Sequence, residues 1–304
     1  MKIQVVIPIY QPDEILIQLL HMLQCQSVDE VDILLIDSGS DKGYMDCLSN
    51  MNNITVQEIP SVSFNHGGTR QMAIDSNPNA DVYVFLTQDA ILANEDSIAS
   101  LVSAFDNPKI GCAYGRQLPH KNATFFASFA RKYNYNSLSY ERYYEDSSKY
   151  GIKTAFISNS FAAYRKEAIR EVGGFPTKTI LSEDMYVAAK MLLHGWGVVY
   201  KADAMVYHSH NYTIWQEFKR YFDIGVFHCN EDWIRKKFGA SEQTGIDFVK
   251  AEINAIQYNP VLLVKMVLRD GMKYIGYNLG LHEKILSKGC KKKLSSNPKY
   301  WDNK

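Results

Sequence analysis

Cysteine is scarce in this chain and follows no pattern. Five occur among 304 residues, at positions 25, 47, 112, 229 and 290, an odd number with no CxxC spacing. That speaks against a disulfide framework and a cysteine-based zinc site, and for a reducing compartment. No apolar run reaches the roughly 18 residues that a spanning helix needs, so none is expected. The chain opens directly on the strand-like IQVVIPI, without the basic stretch and apolar run of a signal peptide. A glycine-rich loop is missing after that first strand. Tyr10-Gln11-Pro12-Asp13 stands there, unlike the GxGxxG of a dinucleotide dehydrogenase or the Gly-rich basic loop of a nucleotide-sugar pyrophosphorylase. Net charge is also absent, with 33 basic and 33 acidic residues.

The charge is unevenly placed. Residues 265–304 carry nine lysines and one arginine against Asp270, Glu283 and Asp302, a net +7, which leaves −7 for the rest. A basic tail on an acidic body suits an anionic partner. The acidic body would repel a nucleic-acid backbone, so an anionic membrane surface is the better candidate.

The composition, 46% hydrophobic and 22% charged, is that of an ordinary globular chain with a sizeable core. Its length suits one large α/β domain with an appendage, or two small domains. Ile3–Ile9, Val31–Ile36 and Asp81–Leu86 read as buried strands, and Ile54–Ile59 as a further one. Ile15–Leu23 and Gly68–Ser76 read as helices between them. Alternating strands and helices predict a mainly parallel sheet with right-handed crossovers. Lys166–Val172 and a segment from Ser182 to Gly195 read as helices, Val198–Tyr200 and Met205–Tyr207 as short strands. From about 213 onward the pattern is helical. The boundary expected is therefore 1–212 for the α/β domain and 213–304 for a helical extension.

Ligands of open sheets bind beyond the carboxyl ends of the strands. Three polar segments stand there: Ile9-Tyr10-Gln11, Asp37-Ser38-Gly39-Ser40 and Thr87-Gln88-Asp89-Ala90. Asp37, in Asp-Ser-Gly-Ser, can bond a ribose hydroxyl or a base N–H, or simply close a turn. Asp89, in Thr87-Gln88-Asp89-Ala90, can hold a divalent cation against a diphosphate, or cap a strand end. Glu183-Asp184 follow Ser182, a suitable N-cap. They can complement the helix dipole, or supply a general base for an acceptor hydroxyl. His208 and His210, two apart, place both rings on one face of a strand, fit for a metal; one core and one surface histidine is the plainer reading. Asn65-His66-Gly67-Gly68-Thr69-Arg70 runs into a helix whose N-terminus would attract phosphate, with Arg70 adding a charge, or it is an ordinary helix start. Six tyrosines between 133 and 150 form an acceptor wall or a packed helical hairpin.

As an ordered set, VVIPIYQP, LLIDSGS, FNHGGTRQMA, VFLTQDA, SNSFAAYRKEAIREVGGF, LSEDMYVAAKML and VYHSH resemble the family-2 glycosyltransferases of GT-A fold over roughly residues 3–210. The wording of FNHGGTRQMA, TQDA and VYHSHNYTIWQEFKRYFDIG is similar to bacterial rhamnosyltransferases that use dTDP-L-rhamnose. The resemblance implies a GT-A catalytic domain and an inverting transfer to a lipid-linked, polyprenyl-type saccharide in cell-surface polysaccharide synthesis. It places Pro8, Tyr10 and Asp37 around the nucleoside, and Gly68 and Arg70 near the ribose or diphosphate. Asp89 becomes the metal acid beside Gln88, Asp184 the catalytic base supported by Glu183, and His208 or His210 the late metal ligand. Mg²⁺ or Mn²⁺ is the implied cofactor. The family's Asp-x-Asp is reduced here to one acid, Thr87-Gln88-Asp89, which puts strict metal dependence in question. The GlnxxArgTrp signature of processive synthases is absent. A UDP-hexose or UDP-N-acetylhexosamine donor is the alternative, and a non-catalytic glycan- or nucleotide-binding relative the rival. Tyr258–Leu286 reads as an amphipathic surface helix with basic flanks, for peripheral contact at the cytoplasmic face of the membrane, or as a homodimer contact.

Overall fold

The computed structural model describes residues 1–28, 31–41, 53–239 and 242–304. Cys47 lies outside them, and the four described cysteines are free thiols.

Nine strands form one sheet: β1 (Ile3–Ile9), β2 (Val31–Asp37), β3 (Ile54–Glu58), β4 (Val82–Leu86), β5 (Ile91–Leu92), β6 (Ile110–Leu118), β7 (Tyr140–Arg142), β8 (Phe161–Arg165) and β9 (Gly197–Tyr207). The order is β3-β2-β1-β4-β8-β6-β9-β5, with β7 added to β9. The alternation of apolar runs and helices correctly implies parallel pairing in β3-β2-β1-β4. Beyond β4 the expectation of a mainly parallel sheet gives way to a mixed one. β8 runs antiparallel to both β4 and β6, while β6 and β9 are parallel. This reversal decides where the site lies. It brings the amino end of β8 to the same edge as the carboxyl ends of β1, β2, β4, β6 and β9.

Helices cover both faces. Glu14–Gln24 opens on Asp13, whose side chain accepts the Ile15 N–H, and buries Leu16, Leu19, Leu20 and Leu23. Truncating one of these, Leu20→Ala, would cost about 2–5 kcal/mol. The two short strands expected near 200 are one strand. A register shift between Gly115 and Arg116 lets β9 carry extra residues past β6, and Ser139 Oγ accepts the freed Ala202 N–H at 2.8 Å.

The tyrosine-rich stretch is neither hairpin nor open wall. It holds helix Phe125–Asn134, then β7. Tyr135 is buried, the hydroxyls of Tyr140 and Tyr114 lie 2.6 Å apart, and Tyr144 packs on Phe238. Tyr135 thus serves the core, while Tyr150 stays exposed.

The helices after Thr213 share the core of the sheet. Phe222, Val226, Phe227, Ile234, Phe238 and Trp301 are buried in one cluster with Phe85, Tyr114 and Tyr164. Asp223 of helix Ile214–Asn230 accepts from Ser296 N and Asn297 Nδ2, which ties the last residues back onto the body. Much of the basic tail is paired internally, Lys291 with Glu283 and Lys292 with Asp302. No helix among the described residues is long and apolar enough to cross a membrane.

Candidate active site

At the common sheet edge, Asp89 follows β4, and His208 and His210 follow β9. One ligand atom from each lies within 4.8 Å of the others. His208 Nε2 is 3.5 Å from Asp89 Oδ1, and His210 Nδ1 is 3.6 Å from Oδ2. Strand β9 ends at Tyr207, so the two rings converge from the loop beyond it, at 4.6 Å and nearly perpendicular.

A hydrogen-bond chain sets the tautomer of His208. Gln117 on β6 donates through Nε2 to Ser158 Oγ at 2.9 Å, and its Oε1 accepts from Arg131. That oxygen is also 2.9 Å from His208 Nδ1, which must therefore be the donor. Burial lowers the pKa of His208 and, with the neighbouring His208, brings His210 down to about 4. Burial acts upward on Asp89, and only a protonated His208 would outweigh it and hold the carboxyl well below the carboxylate range. The carboxylate of Asp89 thus faces the Nε2 lone pair of a neutral His208, with the His210 ring beside it. Acceptors facing acceptors at this spacing are the donor set of a divalent cation, and they fit one.

The second centre is on helix Glu183–Leu193. Ser182 was expected to cap this helix through its hydroxyl. Instead it takes a left-handed backbone (φ 58°) and makes no side-chain cap, a strained conformation of the kind held at functional sites. The turn presents Asp184 to the cleft. Its Oδ2 accepts the Asn159 N–H at 3.1 Å and its Oδ1 the Met185 N–H at 2.8 Å. Burial, then the adjacent Glu183 carboxylate, push Asp184 up to about 6. Glu183 is buried and pairs with Arg70 Nη1 at 3.0 Å and Asn159 Nδ2 at 3.0 Å. Burial would raise its pKa, but Arg70 and His66 lower it more. The two carboxyls are thereby split in role, one a fixed anion and one titrating near neutrality.

Several expected donor contacts are placed otherwise. Arg70 is 4% exposed and bonded to Glu183 and to the His66 carbonyl at 2.9 Å, so it supports Glu183 rather than facing a diphosphate. The Gly-Gly step serves internal packing: a Cβ on Gly67 would meet the Pro176 carbonyl at 1.8 Å. The Gly68 N–H is taken by the Asn65 cap. Gln88 spends its amide on Tyr10, accepting its N–H at 2.8 Å and donating to its carbonyl at 3.2 Å. It braces the end of β1 and is not a ligand. Asp37 closes its own turn, accepting the Ser40 N–H. Pro8 lies two residues past the last β1–β4 pair, where the sheet opens, and the Tyr10 ring is 56% exposed at that opening.

Sequence reading missed Asn159, Gln117, Arg131 and Arg220. Asn159 and Gln117 join the two centres: Gln117 holds His208 and Ser158, and the next residue, Asn159, holds Asp184 and Glu183. Arg131 and exposed Arg220 both bear electrostatically on His210 and on buried Tyr135, which itself neighbours Asp184. A strand glutamine or a helix arginine carries no motif; the repeated aromatic-basic wording of QEFKRYF was the available hint for Arg220.

A mixed sheet with a strand-end acid, a late histidine pair and a helix-borne carboxylate defines a GT-A-type glycosyltransferase, and this chain belongs to glycosyltransferase family 2. The profile described as "Glycosyl transferase family group 2" matches residues 84–222. Over 304 residues, all of this chain and 97% of the relative, it is 44% identical to the O-antigen chain rhamnosyltransferase RfbN of Salmonella typhimurium. It is 41% identical to the O-antigen chain rhamnosyltransferase WbaN of Salmonella anatum, over 93% of this chain and 90% of that one. Among solved structures, the mannosyltransferase PcManGT of Pyrobaculum calidifontis, in complex with GDP-Man and Mn²⁺, matches with TM-score 0.65 at 16% identity, over 93% of this chain and 88% of that one. TarS 1–349 of S. aureus, in complex with UDP-GlcNAc, matches at 0.57 and 14%, over 93% and 91%. These distant likenesses establish the fold.

Proposed function

We propose that this glycosyltransferase moves L-rhamnose from dTDP-β-L-rhamnose, with inversion, to a hydroxyl of a lipid-linked O-antigen saccharide at the cytoplasmic face of the membrane. The two rhamnosyltransferase relatives support the sugar and the pathway class. The observation that carries the chemistry is the pairing of a cation-binding trio with a near-neutral carboxylate through Gln117, Ser158 and Asn159.

Asp89, His208 and His210 would hold the divalent ion, which when bound neutralises charge developing on the leaving diphosphate. Two imidazole nitrogens suit Mn²⁺ better than oxygen-seeking Mg²⁺. Arg131 and Arg220 border the same space and add positive field where that charge develops. Tyr10 and Pro8 frame the nucleoside end, with the exposed Tyr10 ring offered for stacking. Asp184 takes the proton of the acceptor hydroxyl as its oxygen bonds to the anomeric carbon and the bond to the diphosphate breaks. One in-line displacement turns the β-linked donor into an α-linked product. Glu183, fixed by Arg70, stays ionised and keeps the Asp184 carboxyl basic enough for proton removal.

The test is a donor panel of dTDP-rhamnose, UDP-glucose, UDP-GlcNAc and GDP-mannose, each with and without Mn²⁺. Selective dTDP-rhamnose binding strengthened by Mn²⁺, with an α-linked product by NMR, is expected. Preference for a UDP-sugar would discard rhamnose, and binding of none would favour a non-catalytic relative.

A further inference from the structure

Helix Pro260–Leu281 is built inside out. Its charged residues other than Lys265 turn inward: Arg269 and Lys273 pair with Glu217, and Lys273 with Asp270 at 3.0 Å. Much of its apolar surface faces solvent, although Met266 is buried and Leu262, Leu263 and Leu279 pack on the core. Val261 and Val264 are each 61% exposed, Leu268 54% and Ile275 49%. The neighbouring helix Glu242–Ile256 adds Ile253 at 45%, and the turn between the two adds Tyr258 at 93%. Large apolar side chains exposed on two consecutive helices mark an interaction surface.

Its charge selects the partner. Lys250 and Lys265 are exposed on these helices. Among the described side chains their acids are Asp247, Glu252 and Asp270. The last two are buried or paired inward, and Asp247 bears on Tyr133 and Lys153 of the body. A second copy docked by the same face would gather four lysines against two exposed Asp247 carboxylates, an excess of like charge among the described side chains. An anionic bilayer takes the same pattern directly, with aliphatic side chains at the acyl boundary and lysines and Tyr258 among headgroups.

We propose that this two-helix face, rather than the basic end of the chain, seats the enzyme on an anionic membrane. The end of the chain is the weaker anchor because Lys291 and Lys292 are paired internally and Lys288 Nζ donates to the Asp302 and Lys304 carbonyls. The face is also rigidly joined to the site. A Cβ on Gly276 would meet the Phe218 carbonyl at 2.5 Å, and one on Gly280 the Phe222 carbonyl at 2.1 Å. The helix they grip, Ile214–Asn230, begins just after His210. Seating therefore fixes the angle of the catalytic edge to the bilayer. That last consequence rests on the lipid-linked acceptor proposed above; the seating itself does not.

The experiment is flotation of the full chain with vesicles of phosphatidylcholine alone or mixed with phosphatidylglycerol. Wild type is expected to float with the mixed vesicles only. V264E/L268E should lose binding by about tenfold or more, K250E/K265E should lose the preference for phosphatidylglycerol, and K284Q/K293Q should float as wild type. All these positions are exposed, and calorimetric dTDP-rhamnose affinity checks that each variant is folded. Wild type that does not float, or V264E/L268E that floats like wild type, overturns the proposal. So does a wild-type dimer by sedimentation that V264E/L268E dissolves without any flotation. Flotation as expected with no dTDP-rhamnose binding by wild type would instead sink the donor assignment and leave the membrane face standing.

Discussion

Gln117 Oε1 stands 2.9 Å from His208 Nδ1 and turns the other ring nitrogen toward Asp89. The strand glutamine thereby fixes the tautomer of the histidine proposed to hold the metal, a task usually given to a carboxylate or a backbone carbonyl. Gln117→Leu should weaken Mn²⁺ affinity about 10–100-fold, measured by paramagnetic resonance on the free ion. Added Mn²⁺ should restore turnover. Unchanged affinity would mean that His208 does not take the ion.

Asp184→Asn keeps the shape of the turn but removes the base. Turnover should fall about 10²–10⁴-fold with dTDP-rhamnose affinity unchanged. In the wild type, kcat should decline as pH falls through about 6, where Asp184 takes up its proton. The stability effect has the opposite sense. The folded value lies above the ordinary 3.8, so the native state binds the proton more tightly than the unfolded chain. Asp184 therefore costs stability as pH rises from about 4 to 6. The asparagine variant should be at least as stable as wild type at neutral pH by thermal unfolding.

Arg70→Met leaves Glu183 as a buried, unpaired anion. The expected cost is about 3–5 kcal/mol, read as a lower denaturant midpoint. R70M/E183Q should recover part of it, since the stranded charge is gone. An R70M protein of normal stability but weakened diphosphate binding would return Arg70 to the ligand role that its position in the sequence suggested.

Arg220→Gln should lower affinity for dTDP by about tenfold or more, the loss of a charge-assisted contact, while thymidine binding stays level. Equal effects on both would place Arg220 away from the phosphates.

Three carboxylates, Glu217, Glu252 and Asp270, share the space between the C-terminal helices with two cations, Arg269 and Lys273. Burial, then Asp270, raise Glu252 to about 8 from an ordinary 4.5. A folded value raised in this way means stability falls as pH rises across that window. Glu252→Gln should flatten the decline in melting temperature between about pH 5 and 8; an unaltered slope would assign it to other groups.

The apolar runs 3–9, 31–37 and 82–86 determined the parallel half of the sheet, because burial on both faces leaves no other use for them. The strand-end acid, the helix-borne acid and the histidine pair were legible as polar groups placed just beyond such runs. What sequence could not set was the antiparallel entry of β8, which depends on the long-range pairing of Phe161–Arg165 with both β4 and β6. That one reversal puts Asn159 beside Asp184 and Ser158 beside Gln117, while the parallel β6–β9 pairing sets Gln117 beside His208. It also decided which of the plausible ligands face the cleft. Arg70, Gln88 and Asp37 have the right chemistry for a nucleotide, yet Glu183, the Tyr10 backbone and the 37–40 turn claim them first. A residue's type fixes what it can bond, but only the fold brings the competitor within 3 Å or so. The same holds for the helix at 260–281. Its amphipathic pattern was in the sequence, and packing alone turned the charged side in and the apolar side out.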